Sequence, residues 1–236
     1  DTDDLFPSDS TQWEDADNDG FGDNPAGNNP DACIGTQGFS NQDRLGCPDT
    51  DGDGYSDADG GWTIANGADE WPNDVTQWED HDGDGYGDNS AGTNGDDCPG
   101  AEGYSTQDRL GCPDTDGDGY SDEDGSWTVS DGADAFPNDA TRSQDIDGDG
   151  VDDAVDDACP GLEGYSINDR LGCPDSDGDG YSDSDGTWTS SDGADVFPND
   201  PTQWQDTDFD GYGDNQVGNN IDSCPSAWGD SWRNNT

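Results

Sequence analysis

The sequence predicts an irregular, loop-dominated tandem repeat, with few short β-strands, little or no helix and an elongated rod-like or fibre-like build. Three observations lead there. The chain carries a formal net charge of -55 over 236 residues, one acidic loop recurs seven times, and a longer unit recurs along the whole length.

Charge comes first because it limits what can collapse. Sixty acidic residues stand against five arginines and no lysine, and only 25% of residues are hydrophobic. Self-repulsion on that scale opposes any compact state, and too little apolar area is present to offset the conformational entropy of folding. Composition alone would read as disorder. Against it stand nine Trp, seven Tyr and six Phe, together with the kind of acid. Glu occupies only positions 14, 70, 79, 102, 123 and 163, so the remaining acids are Asp, the short carboxylate suited to tight loops and ion cages.

The long unit is marked by aromatic-Pro pairs at Phe6, Trp71, Phe136 and Phe197, spaced 65, 65 and 61 residues apart, and by Cys33, Cys98, Cys159 and Cys224. These divide the chain into residues 1–5, repeats at 6–70, 71–135 and 136–196, and a partial fourth repeat at 197–236. The chain starts at Asp1 without an initiator Met, which fits a mature or excised piece, and the fourth repeat breaks off in mid-unit. The spacing therefore predicts a polypeptide that continues beyond Thr236, with a Cys at about position 238. Neither helical nor strand periodicity persists for long, so loops and turns should dominate. Short strands are expected at 61–64, 126–129 and 187–189, where β-favouring residues cluster.

The recurrent loop is Asp-x-Asp-x-Asp-Gly-x-x-Asp. Its first, third and fifth residues are Asp15, Asp17 and Asp19; Asp49, Asp51 and Asp53; Asp80, Asp82 and Asp84; Asp114, Asp116 and Asp118; Asp145, Asp147 and Asp149; Asp175, Asp177 and Asp179; and Asp206, Asp208 and Asp210. Three carboxylates at this spacing can converge on one ion, and the Gly at position six permits the sharp turn. Position seven offers a backbone carbonyl, from Phe21, Tyr55, Tyr86, Tyr120, Val151, Tyr181 and Tyr212. Position nine returns an acid each time: Asp23, Asp57, Asp88, Asp122, Asp153, Asp183 and Asp214. Position eleven adds Asp59, Asp124 and Asp185 in three loops. Hard oxygen donors in this number suit calcium better than magnesium, which keeps its waters, or zinc, which favours thiolate and imidazole. His81 is read as a solvated side chain.

Position twelve carries no Glu and no helices flank the loops, so this is not the helix-loop-helix form of the motif. The stretches from Asp49 to Asp57 and from Phe197 to Asn215 resemble the thrombospondin type 3 repeat family, in its bacterial, longer-unit form. That resemblance covers nearly the whole chain. It implies a chain wrapped around a calcium core, with more than one ion per loop, whereas the Trp-Thr and Asp-Arg-Leu-Gly-Cys insertions depart from it.

Seven divalent ions would move the formal charge only to about -41, so more ligands are expected than the loops supply. Asp69, Asp134 and Asp195 in Gly-Ala-Asp, and Asp74, Asp139 and Asp200 after Pro-Asn, are assigned to that second set. At least seven calcium ions are expected. Cys33 with Cys47, Cys98 with Cys112 and Cys159 with Cys173 are each fourteen residues apart, so pairing within the unit is the economical choice; the alternative joins Cys47 to Cys98 between units. The six Trp that recur beside the loops are expected to pack, and Arg44, Arg109 and Arg170 to pair with nearby carboxylates.

An enzyme is not expected, because carboxylate pairs occur everywhere and single out no site. Nucleic acid is excluded by charge, and no apolar run is long enough to span a membrane. The cysteines place the chain in an oxidising, extracellular or cell-surface compartment. The leading expectation is a secreted structural protein whose repeats touch mainly their neighbours, stiffened by calcium into a stalk, spacer or filament. The alternative is an adhesion module that binds glycans or a partner surface through its Trp-rich inserts. Glycan attachment is a further expectation, at the Asn234-Asn235-Thr236 sequon.

Overall fold

The computed structural model describes residues 4 to 229, so the expected sequon lies outside the described residues. The chain forms two compact units, one ending at Asp122 and the other beginning at Glu123. Among the described residues regular structure amounts to two 3-10 turns, Ile64–Asn66 and Val129–Asp131, and isolated bridges, among them the parallel ones of Gly22 with Pro30, Gly87 with Gly95 and Gly213 with Ile221. The loop-dominated class is therefore observed, but strands do not form at the expected places. In the first insert Thr63 and Asn66 cap one another and Gly67 closes the turn at φ 100°, so local side-chain bonding outcompetes extended pairing. The second insert folds the same way, with Thr128, Asp131 and Gly132.

What is buried explains why so little regular structure is needed. Among the described residues the apolar core contains only cysteines and alanines: Cys47, Ala68, Cys112, Ala133, Cys159, Cys173 and Ala194. The largest fully buried side chains are polar, led by Gln77 and Gln203 with several aspartates. Large apolar groups such as Phe39, Tyr104, Tyr165 and Phe209 stay exposed. The interior is thus built from hydrogen bonds and carboxylates rather than from hydrophobic packing.

In the first unit, Gln12 and Gln77 act as internal pegs. Gln12 Nε2 donates to the carbonyls of Asn24 (3.1 Å) and Asn28 (3.0 Å) while its Oε1 accepts from Asn24 N; Gln77 does the same with Asn89 and Thr93. A glycine at loop position eight makes room, since a Cβ on Gly22 or Gly87 would lie about 2 Å from the glutamine amide. Asp43 grips the next loop by accepting from the amide and hydroxyl of buried Ser56, and Asp108 grips Ser121. Arg44 bonds Asp59 at 2.8 Å and lies 5.1 Å from the Trp62 ring centroid, the carboxylate pairing expected of it. Tyr55 stacks on Trp78 with ring centroids 5.1 Å apart. Disulfides join Cys33 to Cys47 and Cys98 to Cys112, which settles the pairing within the repeat.

The second unit repeats these devices with one departure. Gln203 is the peg, Asp169 grips Ser182, Arg170 bonds Asp185 at 2.7 Å, Tyr181 stacks on Trp204, and Cys159 joins Cys173. At the equivalent place in the repeat of 136–196 the glutamine is Arg142 and the position-eight glycine is Asp152. Buried Asp152 now accepts from the amides of Ser143, Gln144, Ala154 and Val155, and Arg142 turns outward to Asp156 and Asp139. A carboxylate has replaced the glutamine peg, and the connection it holds is four residues shorter, which is why this repeat spans 61 residues instead of 65.

Candidate metal centre

Each loop closes through the same bonds. The position-one carboxylate accepts amides from positions four and six, as Asp49 does from Gly52 (2.7 Å) and Gly54 (3.0 Å). Position three accepts the amide of position five, and position five the amide of position seven. The position-nine amide then donates back to the residue before the loop in all seven copies, for example Asp57 to Pro48 (2.8 Å) and Asp183 to Pro174 (2.7 Å). The position-six glycines have φ between 89° and 103°, a region open to Gly and strained for other residues. Position four is Gly in five loops, Asn18 at φ 66° in one and Phe209 at φ 61° in another.

This winding brings the first, third and fifth carboxylates together. Ligand atoms of Asp15, Asp17 and Asp19 lie within 4.8 Å of one another, as do those of Asp49, Asp51 and Asp53; Asp80, Asp82 and Asp84; Asp114, Asp116 and Asp118; and Asp145, Asp147 and Asp149, with two further such groups. The position-nine carboxylates are turned partly toward position two: Asp57 accepts from Thr50 N and Oγ1, and Asp183 from Ser176. His81 contributes its amide to Asp88, and its side chain is exposed, as expected.

In six loops a carboxylate from farther along the chain returns to the neighbourhood of the triplet. The amide of Asp69 donates to the carbonyl of Ser56, at position eight of its loop (2.9 Å), and the amide of Asp195 does so to Ser182 (2.9 Å). Asp31, Asp96, Asp157 and Asp222 make the same bond to Gly22, Gly87, Asp152 and Gly213. Their Oδ1 atoms accept the amide two residues on, at Cys33, Trp71, Cys98, Cys159, Phe197 and Cys224. Asp134 is buried and accepts from Phe136 N in the same way. Of these, Gly-Ala-Asp was legible as a ligand segment in the sequence, whereas Asp31, Asp96, Asp157 and Asp222 were missed. A signal existed: an Asp stands two residues before each of Cys33, Cys98, Cys159 and Cys224.

The returning carboxylates are the observation that fits a cation. Asp31, Asp69, Asp96 and Asp195 are only 4%, 2%, 1% and 3% exposed. Their Oδ2 atoms, and that of Asp157, are buried with no hydrogen-bond donor; so are the Oδ2 atoms of Asp17, Asp51, Asp53, Asp82, Asp116, Asp177, Asp179 and Asp208. Burial pushes the Asp69 and Asp195 carboxyls up to about 7, with neighbouring loop carboxylates adding to the effect. Burial likewise lifts Asp96 to about 6 and raises Asp31, Asp53, Asp157 and Asp179. Converging buried acid oxygens without donors are costly as they stand. An oxygen-seeking divalent cation relieves both the missing bonds and the repulsion.

The remaining expected ligands are held in local turns. Asp59 and Asp185 spend one oxygen on amides of the following turn and the other on Arg44 or Arg170, and backbone amides with Arg44 hold the Asp59 carboxyl down to about 2. Asp124 accepts from Ser126 N and Trp127 N. Asp74, Asp139 and Asp200 each bond the amide and hydroxyl of the Thr two residues on, which lowers their pKa. The structure thus gives both of these trios turn-forming bonds, whereas the Asp69 and Asp195 amides bond back to their loops.

No protein-family model and no curated protein matches the chain.

Proposed function

We propose that this chain is an extracellular calcium-binding structural repeat protein, built like tandem thrombospondin type 3 repeats, that forms a calcium-stiffened stalk, spacer or filament. The buried Oδ2 atoms of Asp31, Asp69, Asp96, Asp157 and Asp195, on carboxylates that neighbour the loop Asp residues and lacking any donor, carry this reading. Calcium is favoured over magnesium because the ligands are carboxylates in irregular loops rather than an octahedral frame. The count is at least seven ions, one for each loop. Three disulfides support an oxidising compartment outside the cell, and no helix is long and apolar enough to cross a membrane. In the inserts themselves Arg44 lies over the Trp62 ring and Arg170 over the Trp188 ring, which supports structure over glycan adhesion. No catalytic role is assigned.

Small-angle scattering of the oxidised chain in calcium tests the stalk. A compact globule of this length has a radius of gyration of about 18 Å. The expected value lies well above that, with a rod-like cross-section. A value near that of the globule would overturn the stalk, and calcium-dependent binding to a glycan array would favour adhesion instead.

A further inference from the structure

Six of the seven loops treat their fifth carboxylate in two ways. In the loops that begin at Asp15, Asp80, Asp145 and Asp206, Oδ2 of Asp19, Asp84, Asp149 and Asp210 accepts a glycine amide, from Gly38 (3.2 Å), Gly103 (3.0 Å), Gly164 (3.2 Å) and Gly229 (3.0 Å). Three of those glycines lie inside a disulfide ring and are pressed against it: a Cβ on Gly38, Gly103 or Gly164 would fall about 2 Å from the backbone of Cys47, Cys112 or Cys173. The donor is therefore fixed in place by the crosslink. In the loops that begin at Asp49 and Asp175, Oδ2 of Asp53 and Asp179 is buried without a donor.

The difference shows in the number of buried, donorless carboxylate oxygens at each site. The Asp49 site has three, on Asp51, Asp53 and Asp69, and the Asp175 site has three, on Asp177, Asp179 and Asp195. The Asp15 site has two, on Asp17 and Asp31; the Asp80 site has two, on Asp82 and Asp96; the Asp145 site has two, on Asp153 and Asp157. An amide donor takes up a lone pair and partly neutralises the carboxylate that an ion would otherwise hold alone. Charge and number of free oxygen ligands set the affinity of such loops over several orders of magnitude.

From this we infer that the chain holds two classes of calcium site, and that the sites at Asp49 and Asp175 fill before those at Asp15, Asp80 and Asp145. Gly38, Gly103 and Gly164 weaken the second class by occupying an oxygen that the first class leaves to the ion. The chain would then load in stages as calcium rises, with the Asp15 site filling after the Asp49 site and the Asp145 site after the Asp175 site.

This inference rests on the calcium reading, and one titration separates the two. The amides of Gly20, Gly54, Gly85, Gly150 and Gly180 each donate to the position-one carboxylate of a different loop, so each reports one site in a 15N-1H correlation spectrum. In the full oxidised chain, Gly54 and Gly180 are expected to complete their shifts at about tenfold lower free calcium than the other three. All five moving on one curve, or in the reverse order, would overturn the ordering while leaving calcium binding intact. No movement of any of them would instead sink the calcium reading itself. Asp53→Asn with Asp179→Asn, which keeps side-chain shape, is expected to bring Gly54 and Gly180 into step with the rest. If they still lead in a variant whose calcium-saturated spectrum is native, the third oxygen is not the cause and the inference fails.

Discussion

Chelation at neutral pH is expected to unfold the chain cooperatively rather than merely loosen its loops. Donorless buried carboxylate oxygens are present in every repeat, and stranding a buried polar group costs about 1–3 kcal/mol, more when it is charged. Native domains have only about 5–15 kcal/mol in reserve, and among the described residues no large apolar side chain is buried to supply it. Trp fluorescence, near-ultraviolet circular dichroism and hydrogen exchange should therefore all collapse together once chelator has emptied both classes of site, and recover on adding calcium. The pH dependence carries a definite sign. In the metal-free chain the Asp69 and Asp195 carboxyls titrate near 7 when folded, above their unfolded value of about 3.8. The folded state thus binds more protons between those limits, so their contribution to stability is fully present below about pH 4 and is lost as pH rises through 7. Mild acid should partly restore order to the chelated chain. It should do the opposite to the calcium-loaded chain, because protons compete with the ion for the same oxygens.

Opening a disulfide is expected to produce the next largest effect. Each closes a ring of fourteen residues, which in the chain-entropy model stabilises the fold by about 3 kcal/mol. The crosslink also sits within the metal site's own frame, since Asp31 Oδ1 accepts from Cys33 N and Gly38 packs on Cys47 while donating to Asp19. Cys33→Ser with Cys47→Ser should lower stability in calcium by about that amount and disturb the Asp15 site, read by denaturant unfolding and by the Gly20 resonance. Cys224 is exposed and unpaired among the described residues, so Cys224→Ser should leave both unchanged.

These two effects rest on features that differ in how plainly the sequence announces them. The loop triplets and the position-six glycines are local patterns, so their geometry follows from spacing alone. The loop-dominated class follows equally from charge and low hydrophobic content. Asp31, Asp96, Asp157 and Asp222 are harder to find, because a carboxylate supplied twelve to sixteen residues past the start of a loop depends on where the chain returns. An Asp-rich background removes the contrast that would mark one Asp as special. The pegs Gln12, Gln77 and Gln203 are hidden for a similar reason: their role appears only when the facing glycine and the two carbonyls come together. Trp-Thr inserts mislead in the other direction. Their β-branched and aromatic residues favour strands, yet mutual capping by Thr63 and Asn66 gives a tight turn.

The most direct test of the calcium-built interior is a count of ions by native mass spectrometry on the oxidised chain equilibrated with calcium and then freed of excess metal. At least seven calcium ions per chain are expected, lost together with the folded charge-state distribution on chelation. A chain that keeps its compact distribution with no calcium bound would contradict it.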